Sequence, residues 1–179
     1  ADTTAPWWEL LAHDPAVALE GLHLYQGYAV VYAWQDGLMR LIAIDIATGE
    51  AQRVPVPDDP PYALELEWDR ADFSGSQLAY ATSTLASPPV RVTWEMRTRC
   101  EVGRSERDAD ESHRYHVERI QATASDGEQV PVDVVRARDA GDGPRALVLE
   151  GYGCYGISSQ PAFDAHRLAL VDRGVTYAL

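Results

Sequence analysis

Lysine is missing from this sequence, long hydrophobic runs are missing as well, and cysteine is scarce. All 15 basic residues are arginine, and 28 acidic residues outnumber them to give a net charge of -13. This excess of negative charge argues against binding to nucleic acids or anionic membranes, because both need basic surfaces. It would attract cationic ligands, although a solvated acidic surface explains the same charge.

Other absences bear on location and class. No apolar run approaches the roughly 18 residues of a membrane-spanning helix. Residues 1–6 have neither the basic start nor the apolar core of a signal peptide. The two cysteines, Cys100 and Cys154, make no disulfide framework. We therefore expect a cytoplasmic location. A composition of 46% hydrophobic and 24% charged residues is typical of a globular protein.

The first hundred residues predict short strands separated by turns. Alternating apolar residues and turn signals, among them Asp36-Gly37 as a hairpin turn, support this interpretation. Aligning Arg40 with Arg91 gives an offset of about 51 residues, and four short strands per repeat of about 40–50 residues are typical of propeller blades. The predicted strands are 27–34, 38–46, 52–56, 63–68, 77–84 and 90–96. We predict about two blades over 21–101, with 7–13 as the outer strand of a preceding blade.

The pattern changes after the blades. Residues 106–114 are charged and predict a linker, and 115–179 predict two antiparallel strands followed by strand, loop, helix and strand. This order is typical of the start of an α/β domain. The strand at 146–149 is uniformly apolar and predicts burial on both faces. The predicted fold is thus mixed, with the last part of a β-propeller in 1–105 and a truncated α/β domain in 115–179.

The segment Gly151–Gly156 (GYGCYG) follows this apolar strand and contains G-x-G-x-x-G. A dinucleotide-binding turn would need a helix that opens at the last glycine and holds a pyrophosphate at its N-terminus. Pro161 disfavours helix at the residue before it, so we predict a helix only over 162–171, ended by Gly174. The sequence therefore favours a tyrosine-bearing loop beside an active site over a dinucleotide site.

Candidates for chemistry are few. The sequence has no G-x-S-x-G motif, so no serine nucleophile of the α/β-hydrolase type is present. His113 and His116 lack further ligands, and Cys154 lacks an identifiable base, so we expect no metal, no cofactor and no thiol catalysis. Tyr152 is the remaining candidate for a catalytic role. The loop after such a strand supplies an oxyanion donor in α/β-hydrolases, and a phenol can donate that hydrogen bond. A tyrosine that simply packs is the alternative.

Several stretches carry a resemblance to a known family. From about residue 8 onward the chain resembles the oligopeptidase B group of the prolyl oligopeptidase family of serine peptidases. The matching stretches are 58–62 (DDPPY), 118–132 (ERIQATASDGEQVPV), 149–157 (LEGYGCYGI) and 163–178 (FDAHRLALVDRGVTYA). The resemblance implies a seven-bladed propeller that caps an α/β-hydrolase domain, in agreement with both predicted halves.

The resemblance also implies roles for residues of the glycine loop. Tyr152 matches the tyrosine that donates its hydroxyl to the oxyanion, and Tyr155 matches the aromatic residue that borders the substrate pocket. Cys154 and Glu150 depart from the residues usual at their positions, and Glu150 could perturb the end of the strand. The serine, aspartate and histidine of the triad would follow Leu179, so we expect this sequence to be an internal fragment that is inactive alone.

The implied activity is hydrolysis of short peptides after arginine or lysine by a cytoplasmic enzyme. Short cationic peptides are the expected partners, and unpaired strand edges predict self-association. One alternative is cleavage after proline, and another is a non-catalytic propeller module that binds peptides or proteins. A dehydrogenase is the third alternative.

Overall fold

The computed structural model describes residues 7–57, 61–67, 72–106, 110–141 and 143–179. The described residues form three four-stranded sheets and a short α-helix. The first sheet contains β1 (Val17–Leu24), β2 (Tyr28–Gln35), β3 (Leu38–Asp45) and β4 (Ala51–Arg53). The second contains β5 (Ala63–Leu66), β6 (Gln77–Ser83), β7 (Val90–Glu95) and β8 (Cys100–Arg104). The third contains β9 (Tyr115–Thr123), β10 (Gln129–Ala137), β11 (Leu147–Leu149) and β12 (Thr176–Ala178), with α1 (Ala165–Val171) between the last two strands.

The first two sheets are antiparallel meanders in which each strand pairs with its neighbour in sequence. This is the arrangement of a propeller blade. The Asp36-Gly37 turn was predicted correctly: φ is 53° at Asp36 and 69° at Gly37, and Gln35 pairs with Leu38 across the turn. Two positive φ angles give the turn the twist that a tight hairpin needs. Within the predicted strand 63–68, residue 68 lies outside the described part of the chain.

One strand prediction near the ends of the blades was wrong, and two strands were missed. Residues 7–13 form no strand, because they have no partner strand within the described chain, and Trp7 is 99% exposed. The first strand is instead β1, which the alternation rule misses because a bulge between Leu19 and Gly21 interrupts its pairing with β2. The edge strand β8 was also missed, since its residues are mostly polar and it pairs through its backbone.

A hydrophobic core joins the two meanders. Its buried members include Leu41 from the first sheet and Leu78 and Trp94 from the second, each only 1% exposed. Burying a leucine side chain of this kind contributes about 1.5–3 kcal/mol. Tyr62 also links the two sheets, because its hydroxyl donates a hydrogen bond to the Met39 carbonyl at 2.7 Å.

The third sheet has a different topology. β9 and β10 form an antiparallel hairpin, β12 pairs antiparallel to β10, and β11 pairs parallel to β12. Parallel neighbours require a crossover connection, which contains α1 here, as in α/β proteins. Two blade-like sheets followed by a mixed sheet with a crossover helix confirm the predicted fold class.

The helix begins later than predicted. The Asp164 side chain caps it by accepting a hydrogen bond from the His166 backbone at 2.8 Å, so the first helical residue is Ala165 and not residue 162. The Phe163 backbone N–H instead donates to the Ser83 hydroxyl of the second sheet at 3.3 Å. Gly174 follows the helix with φ of 85°, as predicted for its end.

The predicted burial of the strand at 146–149 was wrong for the described chain. Leu147 is 59% exposed, Val148 39% and Leu149 69%. The reason is the position of the strand, because β11 lies at an edge of the third sheet and, among the described strands, pairs only with β12. None of the helices in the described residues has the length and apolar character needed to cross a bilayer.

The third sheet is fixed to both meanders. Leu85 and Ala86, from the loop after β6, pack in a cluster with Tyr115, Val135 and Val171. A polar contact joins the third sheet to the first sheet, through Arg119 on β9. Its guanidinium donates to both carboxylate oxygens of Asp133 at 2.6 and 2.7 Å. It also donates to the carbonyls of Asp36 and Gly37 at 2.8 and 3.3 Å.

Candidate functional site

The glycine loop leaves the end of β11 at the edge of the mixed sheet. Ligands of open α/β sheets bind beside the carboxyl ends of the parallel strands, which is where this loop lies. Tyr152 is 52% exposed and Tyr155 is 92% exposed. Neither ring is packed into the interior, so both phenols are accessible to a ligand in this structure.

The loop turns sharply after its second tyrosine. Tyr155 has φ of 57° and Gly156 has φ of 68°, and the Ile157 N–H donates to the Cys154 carbonyl at 3.1 Å. A tyrosine in the left-handed region is uncommon, because this conformation costs energy and persists only where the surroundings hold it. The turn presents the Tyr155 side chain outward and directs the following residues toward the first two sheets.

A dinucleotide site of the usual geometry is absent from this loop. The helix does not open at Gly156, since the next helix in the described chain starts only at Ala165. The residues between have no regular secondary structure and do not form the first helical turn that holds a pyrophosphate. The G-x-G-x-x-G spelling is therefore not the dinucleotide fingerprint here.

Arg167 of α1 supports the start of the loop, and no motif in the sequence indicated this role. Its guanidinium donates to the Tyr177 hydroxyl at 3.0 Å, to the Ala162 carbonyl at 3.2 Å and to the Glu150 carboxylate at 3.4 Å. Glu150 does not disturb the end of β11, because its backbone N–H still donates to the Ala178 carbonyl at 2.9 Å. The unusual glutamate thus acts as a partner of Arg167.

Gln160 ties the far end of the loop to the second sheet. Its side-chain oxygen accepts from the Leu64 backbone N–H at 2.8 Å, and its side-chain nitrogen donates to the Leu64 carbonyl at 3.3 Å. The amide therefore pairs with β5 as a strand residue would. Such a long-range contact has no signature in the sequence, and the prediction missed it.

The other candidate residues carry no assembled site. Cys100 and Cys154 are both exposed and unpaired by disulfide. The described residues contain no group of three histidine, cysteine or acidic side chains that could hold a metal ion. His166 lies beside Asp164, and the hydrogen bond from its backbone N–H is the main cause that lowers the pKa of the Asp164 carboxyl. That aspartate acts as a helix cap.

Sequence comparison finds peptidases. The chain is 31% identical to dipeptidyl aminopeptidase BI of Pseudoxanthomonas mexicana over 97% of this chain and 24% of that protein. It is 26% identical to protease 2 of Moraxella lacunata over 89% of this chain and 23% of that protein. No family model matches the chain.

Structure comparison agrees with the sequence comparison. Oligopeptidase B from Trypanosoma brucei, in a closed form with covalently bound antipain, superposes with a TM-score of 0.83 at 27% identity. The match covers 94% of this chain and 25% of that protein. Oligopeptidase B from Leishmania major matches with the same TM-score and identity.

The homologues and structural neighbours of this chain are thus oligopeptidase B and prolyl oligopeptidase family peptidases, as the sequence resemblance predicted. The chain spans about a quarter of the length of the curated relatives it matches. Of the stretches that carried the resemblance, residues 58–60 lie outside the described part of the chain.

Proposed function

We propose that this chain is part of a serine oligopeptidase that hydrolyses short peptides through an acyl-enzyme. The observation that carries the proposal is the accessible Tyr152 phenol in the loop directly after β11 of a mixed α/β sheet. The similarity to peptidases over almost the whole chain supports the same class. The proposal also assigns residues 1–105 to the last part of a propeller, 106–114 to a linker and 115–179 to the first part of a hydrolase domain.

Tyr152 would act at the step in which negative charge develops. A serine hydroxyl attacks the peptide carbonyl carbon while histidine accepts its proton, and the carbonyl oxygen becomes an oxyanion. The Tyr152 hydroxyl and a backbone N–H donate hydrogen bonds to that oxygen. The histidine proton then passes to the leaving amine, and water releases the acyl group. The described residues supply only the phenol, and Tyr155 would border the pocket for the residue before the scissile bond.

We infer that the peptidase cuts after arginine or lysine. The net charge of -13 supports this choice, because an acidic protein attracts cationic peptides during encounter. The blade-like sheets would belong to a propeller that keeps folded proteins away from the site. We further propose a cytoplasmic location, since Cys100 and Cys154 are free and exposed thiols, which persist in a reducing compartment.

Matched chromogenic substrates test the class and the specificity together. The complete protein that contains this chain should hydrolyse an arginyl substrate at least tenfold faster than a prolyl one, and a serine-directed phosphonylating reagent should abolish the activity. Faster cleavage of the prolyl substrate would show that the enzyme cuts after proline and not after arginine or lysine. Lack of turnover of either substrate would refute the peptidase function and favour the binding-module alternative.

The 179-residue chain by itself should be inactive and should self-associate. It lacks G-x-S-x-G, and its third sheet ends in the exposed strand β11, whose apolar side chains and free edge can pair with another copy. Light scattering should give a mass above the 19.7 kDa of a monomer. A monomer across the micromolar range, or turnover of the arginyl substrate above buffer, would contradict these expectations.

A further inference from the structure

A cavity of about 600 Å³ lies between the second and third sheets. Residues of the segment 82–87, at the end of β6 and in the loop after it, form one wall. Residues of the segment 112–117, at the start of β9, form the opposite wall together with Arg138, which directly follows β10. A cavity of this volume is large enough for a small molecule.

The cavity and the glycine loop lie at opposite ends of the third sheet. β10 runs antiparallel to β12, and β11 runs parallel to β12. The carboxyl end of β10, which Arg138 follows, therefore lies on the side of the amino ends of β11 and β12. The glycine loop leaves the carboxyl end of β11, so a ligand in this cavity would not be held by the loop that carries Tyr152.

Hydroxyl groups make the first wall of the cavity polar. The hydroxyl side chains on this wall are Thr82, Ser83, Thr84 and Ser87. Thr82 and Ser87 are each 6% exposed and Thr84 is 7% exposed. The oxygens of Ser83 and Thr84 accept hydrogen bonds from backbone N–H groups, but none of the four hydroxyls donates one to any described residue. Because buried polar groups normally have partners, these donors indicate a ligand rich in acceptor oxygens.

The loop after β6 holds its hydroxyl groups in fixed positions. The Thr84 hydroxyl oxygen accepts from the backbone N–H groups of Ala86 and Ser87 at 3.2 and 2.9 Å. The Thr84 backbone N–H donates to the Ser87 carbonyl at 3.2 Å, and the Leu85 side chain between them is fully buried. The wall is therefore ordered before any ligand binds, which lowers the entropic cost of binding.

The opposite wall adds nitrogen donors. Arg138 and His113 are exposed, and their side chains make no hydrogen bond or ion pair with the described residues. His116 also lines the cavity, with its Nε2 atom 3.5 Å from the Glu118 carboxylate. A guanidinium has only donors, and even a neutral imidazole carries an N–H. Among the described residues that line the cavity there is no aspartate or glutamate, although the chain has 28 acidic residues.

We propose that this cavity binds a phosphate group, either free phosphate or the phosphate of a small monoester. The Arg138 guanidinium pairs with two phosphate oxygens, which match its planar geometry. The hydroxyls of Thr84 and Ser87 and the N–H of His113 donate to the other oxygens. A tetrahedral phosphate presents oxygens in several directions and can accept from both walls at once, whereas a carboxylate presents its oxygens on one side. This inference does not depend on the proposed peptidase function.

Titration calorimetry of the complete protein at constant ionic strength tests the proposal. The probes are inorganic phosphate, glycerol phosphate and succinate. Phosphate or glycerol phosphate should bind with saturation at one site per chain, and succinate at least about tenfold more weakly. The tighter of the two phosphate compounds identifies free phosphate or a monoester as the ligand. Absence of saturable binding of both up to about 10 mM, or tighter binding of succinate, would overturn the proposal.

The variants Arg138→Met and Arg136→Met form a matched pair. Both remove one positive charge, but Arg136 does not line the cavity. R138M should weaken phosphate binding at least about tenfold, since it removes a charged hydrogen-bond donor, whereas R136M should change the affinity less than about twofold. Ser87→Ala should weaken binding about fivefold, and the exposed-turn control Ser125→Ala should leave it unchanged.

Equal weakening in R138M and R136M would show that only overall charge matters, and unchanged affinity in both R138M and S87A would place the phosphate elsewhere. Either result would overturn the site. Urea unfolding without phosphate should show that R138M folds, since Arg138 is exposed. Phosphate should raise the melting temperature of the wild-type protein and not that of R138M, because a ligand that binds the folded state stabilises it. Failure of these results leaves the peptidase proposal standing, and absence of peptidase activity leaves the phosphate site standing.

Discussion

Replacing Arg119 with methionine should destabilise the chain by about 3 kcal/mol, because it leaves the Asp133 carboxylate buried without its partner. The Asp133 side chain is only 7% exposed and that of Arg119 16%. Removing one member of a buried ion pair costs about 3–5 kcal/mol, and the partial exposure of Arg119 favours the lower value. The carbonyls of Asp36 and Gly37 lose their guanidinium donor in the same variant.

Urea unfolding followed by circular dichroism measures this loss. Arg138→Met is the control, because Arg138 is exposed and its side chain makes no ion pair or hydrogen bond with the described residues, so it should change stability by less than about 0.5 kcal/mol. Adding Asp133→Asn to R119M should recover at least about 1 kcal/mol by removing the buried charge. A loss below about 1 kcal/mol in R119M would show that the Arg119–Asp133 pair behaves like a surface salt bridge and not like a buried one.

Further predictions concern the hairpin turn, a buried phenol and the core. Gly37→Ala should cost about 1 kcal/mol more in unfolding free energy than Gly49→Ala, because both positions have positive φ but only the Gly37 methyl would meet Pro131, at 2.9 Å; equal losses would exclude the clash. Burial is the main cause that raises the pKa of Tyr80 to about 12. Between pH 10 and 12 only the phenol of the unfolded chain ionises, so the free energy of unfolding should be constant below pH 10 and fall as the pH rises through this range. Tyr80→Phe should show a smaller fall in urea midpoint between pH 9 and 11.5, and an identical fall would contradict this assignment. Leu78→Ala should lose about 3 kcal/mol in urea unfolding, and a loss below 1 kcal/mol would show that its site is not well packed.

The sequence predicted those features that depend on neighbouring residues. Alternating apolar residues located β2, β3, β6 and β7, and Asp36-Gly37 predicted the hairpin turn, because these signals depend on strand period and backbone sterics. β1 was missed since its bulge breaks the period. The start of α1 was placed too early because the Asp164 cap and the Phe163–Ser83 contact decide it.

The candidate site was predictable only in part. The glycine loop and its tyrosines could be found from their spacing and from the preceding apolar strand. The contacts that position the loop could not, because Gln160 and Leu64 are 96 residues apart and meet only through the packing of sheets. The same holds for Arg119 and the turn at Gly37, which are 82 residues apart.

Steady-state kinetics of Tyr152→Phe in the complete protein, with an arginyl amide substrate, would reveal whether the Tyr152 hydroxyl stabilises the oxyanion. Removing one oxyanion donor should lower kcat by about 100-fold or more with little change in KM, because the hydrogen bond forms mainly in the transition state. Tyr28→Phe, which removes a phenol of the first sheet, should leave both constants unchanged. A kcat of Y152F within threefold of the wild-type value would exclude Tyr152 as an oxyanion donor.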